Sequence, residues 1–412
     1  MEKPPQNREY RDNLAKQLRE TSGGRRRRVA LERARTTNEY GSALQSHAND
    51  QVEAGTRLDL PRERTELYQS LEKRIGNTPL IEIKNALPND SRLFVKEEFR
   101  NGIGHSHYDR VYIKLFKEKE RLGIIKPGND IFETTSGTAG VSFAALGREL
   151  GYKCHVALPE AMDPEIRAAR EKVIRAEGAE VYSSPGYVDK FPAFIRAFSK
   201  EHPNYVFLNH SMGNILGKGT DVNENAIAEM ETIADEIATQ LKTMSSRAPD
   251  FVFSALGNGT TTLGFSRKFS AASPETKVVA YEMLSSGVGY SEKYGESQYR
   301  NVVDSSGRFG ANDFTVHKMP GTSFPGIDFP ALKESMKTVD RVILIADTDV
   351  KSRYQELTGK EALPEGVVSV EYGQNGDYGH STDAGIAIAK EAAKGEEGKN
   401  FVVIAYDTID RY

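Results

Sequence analysis

The sequence predicts an α/β protein of two lobes, with parallel sheets flanked by helices and a cleft between the lobes. Three observations carry this expectation. From Leu71 onward, short β-branched runs alternate with amphipathic helical stretches, the pattern of βαβ units and a parallel sheet. Glycine-rich breaks fall at the strand ends, where open α/β sheets place their ligand crevices. The chain has 412 residues, enough for one large core or two lobes.

In chain order, strands are expected at Leu93–Lys96, His155–Leu158, Tyr205–Leu208, Phe251–Leu256, Val278–Glu282, Arg341–Ala346 and Phe401–Tyr406. Helices are expected at Val141–Leu150, Pro164–Ala176, Glu224–Met244 and Thr382–Ala393. The second helix carries its own punctuation: Asp163 as N-cap, Pro164 at the first helical position and Gly178 just past the end. Residues 1–68 differ. They are rich in Arg, Glu, Gln, Asn and Thr and show no core-forming period, so they read as a disordered or loosely helical polar extension. The run Arg25–Arg28 reads as part of a solvated tail, with contact to RNA or an acidic partner as the competing reading.

Composition removes several function classes. The net charge is −4, so no global basic field draws the chain to nucleic acid or to an anionic membrane. No apolar run approaches the roughly 20 residues that span a bilayer, and the N-terminus has no signal-peptide core. The single cysteine, Cys154, allows no internal disulfide and suits a reducing compartment. It opens a strand and reads as an inert core thiol. A cytoplasmic protein without membrane or nucleic-acid partners is expected.

Two segments read as anion sites. Thr135-Ser136-Gly137-Thr138 and Gly257-Asn258-Gly259-Thr260-Thr261 each follow a strand and open a helix. Such loops aim unpaired backbone N–H groups and the helix dipole at a phosphate or carboxylate. Glycine permits close approach, and hydroxyls add donors. Two such loops in one cleft suit a cofactor phosphate and a substrate carboxylate. The second is neither a dinucleotide fingerprint, since its glycines read G-x-G-x-x-x-x-G, nor a P-loop, since no Lys-Ser or Lys-Thr follows.

Six ordered motifs make the stretch from about Leu71 to Tyr412 resemble the fold-type-II pyridoxal-phosphate (PLP) enzymes, the cysteine synthase, cystathionine β-synthase and tryptophan synthase β relatives. Ile75–Leu80 looks like the I-G-N-T-P-L opening. Lys96-Glu97-Glu98 with Asn101 is similar to K-x-E-x-x-N. Thr135–Gly140 resembles the T-S-G-N-T-G loop for the substrate carboxylate, and Gly257–Gly264 the G-T-G-G-T-x-x-G phosphate loop. Gly379–Ala384 resembles G-I-S-S-G-A, which makes Ser381 the partner of the pyridine nitrogen. Asp407–Tyr412 is similar to D-S-G-E-R-Y. The resemblance implies a tryptophan synthase β-like fold over residues 69–412, with a small lobe at about 107–213 and a large lobe from 69–106 plus 214–412. It also implies β-elimination or β-replacement on a small amino acid, with lyase or transferase chemistry. A homodimer is a further expectation.

The departures bear on mechanism. The S-x-K-D-R motif carries the Schiff-base lysine, and here the stretch reads Ser106-His107-Tyr108-Asp109-Arg110, with Tyr108 at the lysine position. A phenol cannot form a Schiff base. Lys114 lies six residues on, about 240° around a helix opened by Tyr108. Thr138 replaces the motif's Asn beside the cofactor ring, Ala139 its Thr, and Thr260 a Gly of the phosphate loop. PLP is therefore expected to bind without a covalent link, on Gly257–Thr261, Ser381 and Thr138. Tyr108 and His107 are the candidates for moving a proton, while the plainer alternative is that Tyr108 fills cofactor space. The string His105-x-His107-x-Asp109 would share a side only in extended backbone, and no metal is expected. Two functions stay open: a cysteine synthase-like enzyme, or a non-catalytic relative that binds a phosphate ligand, an amino acid or a protein partner.

Overall fold

The computed structural model describes residues 57–212, 222–303, 317–322, 324, 327 and 329–412. Eleven strands are described: β1 (Leu80–Ile83), β2 (Arg92–Glu97), β3 (Asp130–Thr134), β4 (Lys153–Pro159), β5 (Glu180–Ser184), β6 (Val206–Phe207), β7 (Phe251–Ala255), β8 (Lys277–Met283), β9 (Arg341–Ala346), β10 (Val368–Ser369) and β11 (Asn400–Ala405). They form two sheets. One runs β5-β4-β3-β6 and the other β1-β2-β11-β7-β8-β9-β10. Every pairing is parallel except β1 on β2. Helices connect the parallel strands, giving an α/β fold with parallel sheets flanked by helices.

The four-stranded sheet, residues 130–207, carries the helices Tyr108–Arg121, Ala139–Leu150, Pro164–Ala176 and Phe191–Glu201. The seven-stranded sheet carries Glu224–Ser245, Thr260–Ala272 and His380–Ala393, among others. Central strands are buried on both faces: β11 reads Asn-Phe-Val-Val-Ile-Ala with all six residues buried, as parallel strands between helix layers must be. Glu224–Ser245 and Thr260–Ala272 touch closely because position 264 is glycine. A Cβ there would lie 2.6 Å from the Met230 Cβ.

Of the expected elements, Arg341–Ala346 and Pro164–Ala176 stand at the expected bounds, and Asp163 caps the latter by accepting from Glu165 N and Ile166 N. The others shift by one or two residues at one or both ends. Strands β1, β5 and β10 were not expected, and β3 only as a strand of unstated bounds before Thr135: they are short, or carry charged residues at their ends, which hides the β signal. The boundary at 68 moves. Arg62–Glu72 is a helix with Tyr68 wholly buried. Its Arg64 and Tyr68 both bond Glu120 of the helix Tyr108–Arg121. Residues 57–68 are thus part of the fold, and the Arg25–Arg28 run lies outside the described residues. Among the described residues no helix is long and apolar enough to cross a membrane.

Candidate active site

Both anion loops open onto one cavity between the two sheets. It is tight, with about 100 Å³ open to the centres of water-sized molecules. Strand β3 ends at Thr134, and the chain turns through Thr135–Thr138 into Ala139–Leu150. Thr135 Oγ1 accepts from Gly137 N at 3.0 Å, which shapes the turn. Strand β7 leads likewise through Leu256–Gly259 into Thr260–Ala272, where Asn258 Oδ1 accepts from Thr260 N at 2.9 Å. Gly259 sits at φ +89°, and a Cβ there would meet the Leu332 backbone at 2.3 Å. Only glycine satisfies both constraints.

The cavity brings together His107, Tyr108, Thr135, Ser136, Gly137, Thr138, Gly257, Asn258, Gly259, Thr261 and Ser381. Thr260 is the exception. It is buried but off the cavity wall, where Thr262 stands instead. Ser136 Oγ donates to Pro320 O at 2.7 Å, as does Tyr187 OH at 2.9 Å, so the segment running past Met319 is tied to the Thr135–Thr138 loop. Thr138 Oγ1 lies 3.2 Å from Ser106 Oγ.

Tyr108 opens the helix Tyr108–Arg121. Its ring centroid is 4.1 Å from that of His107 and 5.3 Å from that of His210, which it meets edge-on. Burial pushes its phenol up to about 12, partly offset by the Asn258 side chain beside the hydroxyl. Burial pushes His107 down to about 3, so the imidazole is neutral at neutral pH. His107 also packs edge-on against Tyr406, centroids 4.9 Å apart. His210 Nδ1 is 3.1 Å from Glu133 Oε2, out of line for a hydrogen bond, while the same oxygen accepts from His210 N at 3.0 Å.

Among the described residues that line the cavity there is no lysine. Lys96 is wholly buried and donates to Thr78 O, Glu236 and Gln240. Lys114 lies 3.7 Å from Glu229. The His105, His107 and Asp109 side chains form no metal-type cluster among the described residues: His105 is exposed at φ +53°, His107 is buried, and Asp109 accepts from the amides of Ile103 and Gly104. Cys154 is buried, with its thiol pushed up to about 12.

Sequence reasoning missed Arg170, His210 and Tyr406, all on the cavity wall, which Thr134 also lines. Arg170 looked like an ordinary polar position of an amphipathic helix. Tyr406 directly follows β11 and His210 lies three residues past β6, positions that carry a weak signal. Thr134 Oγ1 is buried with no hydrogen-bond partner among the described residues. That is a state walls adopt when a polar ligand completes them.

Residues 71–371 match the family model described as "Pyridoxal-phosphate dependent enzyme". A probable cysteine synthase of Bacillus subtilis is 29% identical over 342 residues, covering 82% of this chain and 94% of its own. Cystathionine beta-synthase of Rattus norvegicus is 25% identical over 362 residues, covering 86% of this chain. This chain spans only 56% of that relative's length. The crystal structure of O-ureido-L-serine synthase superposes with a TM-score of 0.61 at 21% identity, covering 83% of this chain and 92% of that one.

Proposed function

From the premise that the chain belongs to the pyridoxal-phosphate dependent enzyme family, we propose that its cavity holds pyridoxal phosphate without a covalent link, together with a small amino acid. We take it to be a binding member of the family that lacks lysine-dependent turnover. One observation carries the reading: the phenol of Tyr108, where the family motif has its lysine, stands beside Asn258 of the phosphate loop, and no lysine is among the described lining residues.

The residues fit the cofactor's polar and anionic parts. The Gly257–Thr261 loop, at the start of a 13-residue helix, would hold the phosphate. Ser381, in the first turn of His380–Ala393, would face the ring nitrogen. The buried Thr134 Oγ1 offers one more group to a polar ligand. When bound, this cofactor supplies an electron sink for charge developing at the α-carbon of an amino acid. The Thr135–Thr138 loop would orient the amino acid by its carboxylate. Tyr108 holds its proton at Oη up to about pH 12, and His107 stays neutral down to about pH 3. General acid–base catalysis is most effective when the pKa lies near the working pH, so neither group is poised to move a proton at neutrality.

A second reading, slow β-elimination or β-replacement, draws on the placement of His107 and Tyr108 together on the cavity wall, ring centroids 4.1 Å apart. Borohydride reduction of PLP-loaded protein, followed by peptide mass spectrometry, tests the first reading. Wild type should give no phosphopyridoxyl-lysine and should lose the cofactor on dialysis. Tyr108→Lys should retain it and yield an adduct at position 108. A stoichiometric adduct on a native lysine in wild type would overturn the non-covalent reading. Sustained turnover of a serine-type amino acid with a thiol would overturn the binding-only reading.

A further inference from the structure

Arg170 brings a buried guanidinium to the cavity wall with its hydrogen-bonding capacity largely unused. It lies on the helix Pro164–Ala176, is 2% exposed, and lines the same cavity as the two anion loops. Its Nε and Nη1 have no hydrogen-bond partner among the described residues. Nη2 is 3.8 Å from Asp407 Oδ2, too far for a hydrogen bond. The Tyr412 ring lies 4.9 Å from the guanidinium carbon, a cation–π contact that holds the group but satisfies no N–H donor. Asp407 takes its hydrogen bonds elsewhere: Tyr412 Oη lies 3.1 Å from both of its carboxylate oxygens.

A guanidinium carries five N–H donors and is always charged. Buried cations are ordinarily paired and hydrogen-bonded, because desolvation is otherwise uncompensated. A side chain that merely tied the helix Pro164–Ala176 to the C-terminal segment would close on Asp407 in a direct two-point bond. Instead two of its three nitrogens are buried without a hydrogen-bond partner among the described residues, on a side chain that lines the cavity. Thr134 Oγ1, on the same cavity, is a second buried donor without a partner.

We infer that Arg170 receives a second anionic group of the amino-acid ligand, so that the cavity selects amino acids whose side chain ends in a carboxylate or comparable anion. This rests on the reading of the cavity as an amino-acid site. There the α-carboxylate goes to Thr135–Thr138, leaving Arg170 for the distal charge. Amides and neutral side chains of the same shape would leave the guanidinium unpaired, and sites built around a charged partner reject ligands that lack it.

The test is calorimetric titration of the full chain, saturated with PLP, with four matched probes: L-aspartate against L-asparagine, and L-glutamate against L-glutamine. In wild type at least one acid should bind about tenfold or more tightly than its amide, the size of one charge-assisted hydrogen bond. In Arg170→Gln the ratio should fall to about one, and in Arg170→Lys, which keeps the charge, it should remain above one. The wild-type ratio needs no variant, so a misfolded Arg170→Gln leaves the inference testable. Equal binding of acid and amide to wild type would overturn this inference while leaving the amino-acid site standing. No binding of any probe, with no PLP taken up, would remove the underlying reading and this inference with it.

Discussion

Arg110 and Glu98 form a two-point ion pair sealed from solvent. Nε to Oε2 and Nη2 to Oε1 are both 2.9 Å, and the side chains are 4% and 0% exposed. Arg110 stands two residues after Tyr108, so the pair ties the start of that helix to Glu98, just after β2. Glu236 joins from the helix Glu224–Ser245 through Arg110 Nη1 at 2.7 Å, and Lys96 Nζ reaches the same carboxylate at 2.7 Å.

Removing one member of such a network strands a buried charge. Arg110→Leu should destabilise the fold by about 3–5 kcal/mol, read as a lower midpoint in urea. The double variant Arg110→Leu with Glu98→Leu should lose less than the single one, because no orphan carboxylate remains. An unchanged midpoint in Arg110→Leu would show that the pair contributes nothing.

The same network sets an acid limit. Burial pushes the Glu236 carboxyl up, but Arg110 and Lys96 outweigh it and hold it at about 2, below the ordinary 4.5. A carboxyl with a lowered folded-state pKa stabilises the fold above its unfolded pKa and loses that contribution as pH falls through the folded one. Stability should therefore decline from about pH 4.5 towards pH 2, and Glu236→Gln should flatten that decline. Asp109 and Glu282, pushed up by burial to about 6 and about 7, act at higher pH and in the opposite sense. Urea midpoints across pH 2–7 separate the two windows.

A chain beginning at residue 57 should keep the melting temperature of the full chain. One beginning at Leu71 should melt lower. It lacks Arg64 and Tyr68, and the buried Glu120 is then left with Tyr152 OH alone at 2.7 Å. Equal melting temperatures for the two truncations would refute this.

The parallel sheets and both anion loops were legible in the sequence because βα periodicity and Gly/Thr turns are local signals. Pro164–Ala176 was placed to the residue because its Asp163 cap, Pro164 and Gly178 are all local too. Arg170 on that same helix was not recognised. Whether an arginine faces solvent or a cavity depends on which sheet edge the helix packs against, and that is decided by residues more than two hundred positions away, Asp407 and Tyr412. The Arg62–Glu72 helix escaped for a similar reason. Its sequence is dominated by charged residues, and it is held by Glu120, a partner far along the chain.

The Pro320 carbonyl already occupies the Ser136 hydroxyl. A carboxylate that engages Ser136 exchanges one hydrogen bond for another, so that contact adds little net affinity. If a ligand carboxylate is to reach Ser136, release of the Pro320 bond must come first. The observed association rate should level off with ligand concentration at the rate of that release, whichever amino acid is supplied.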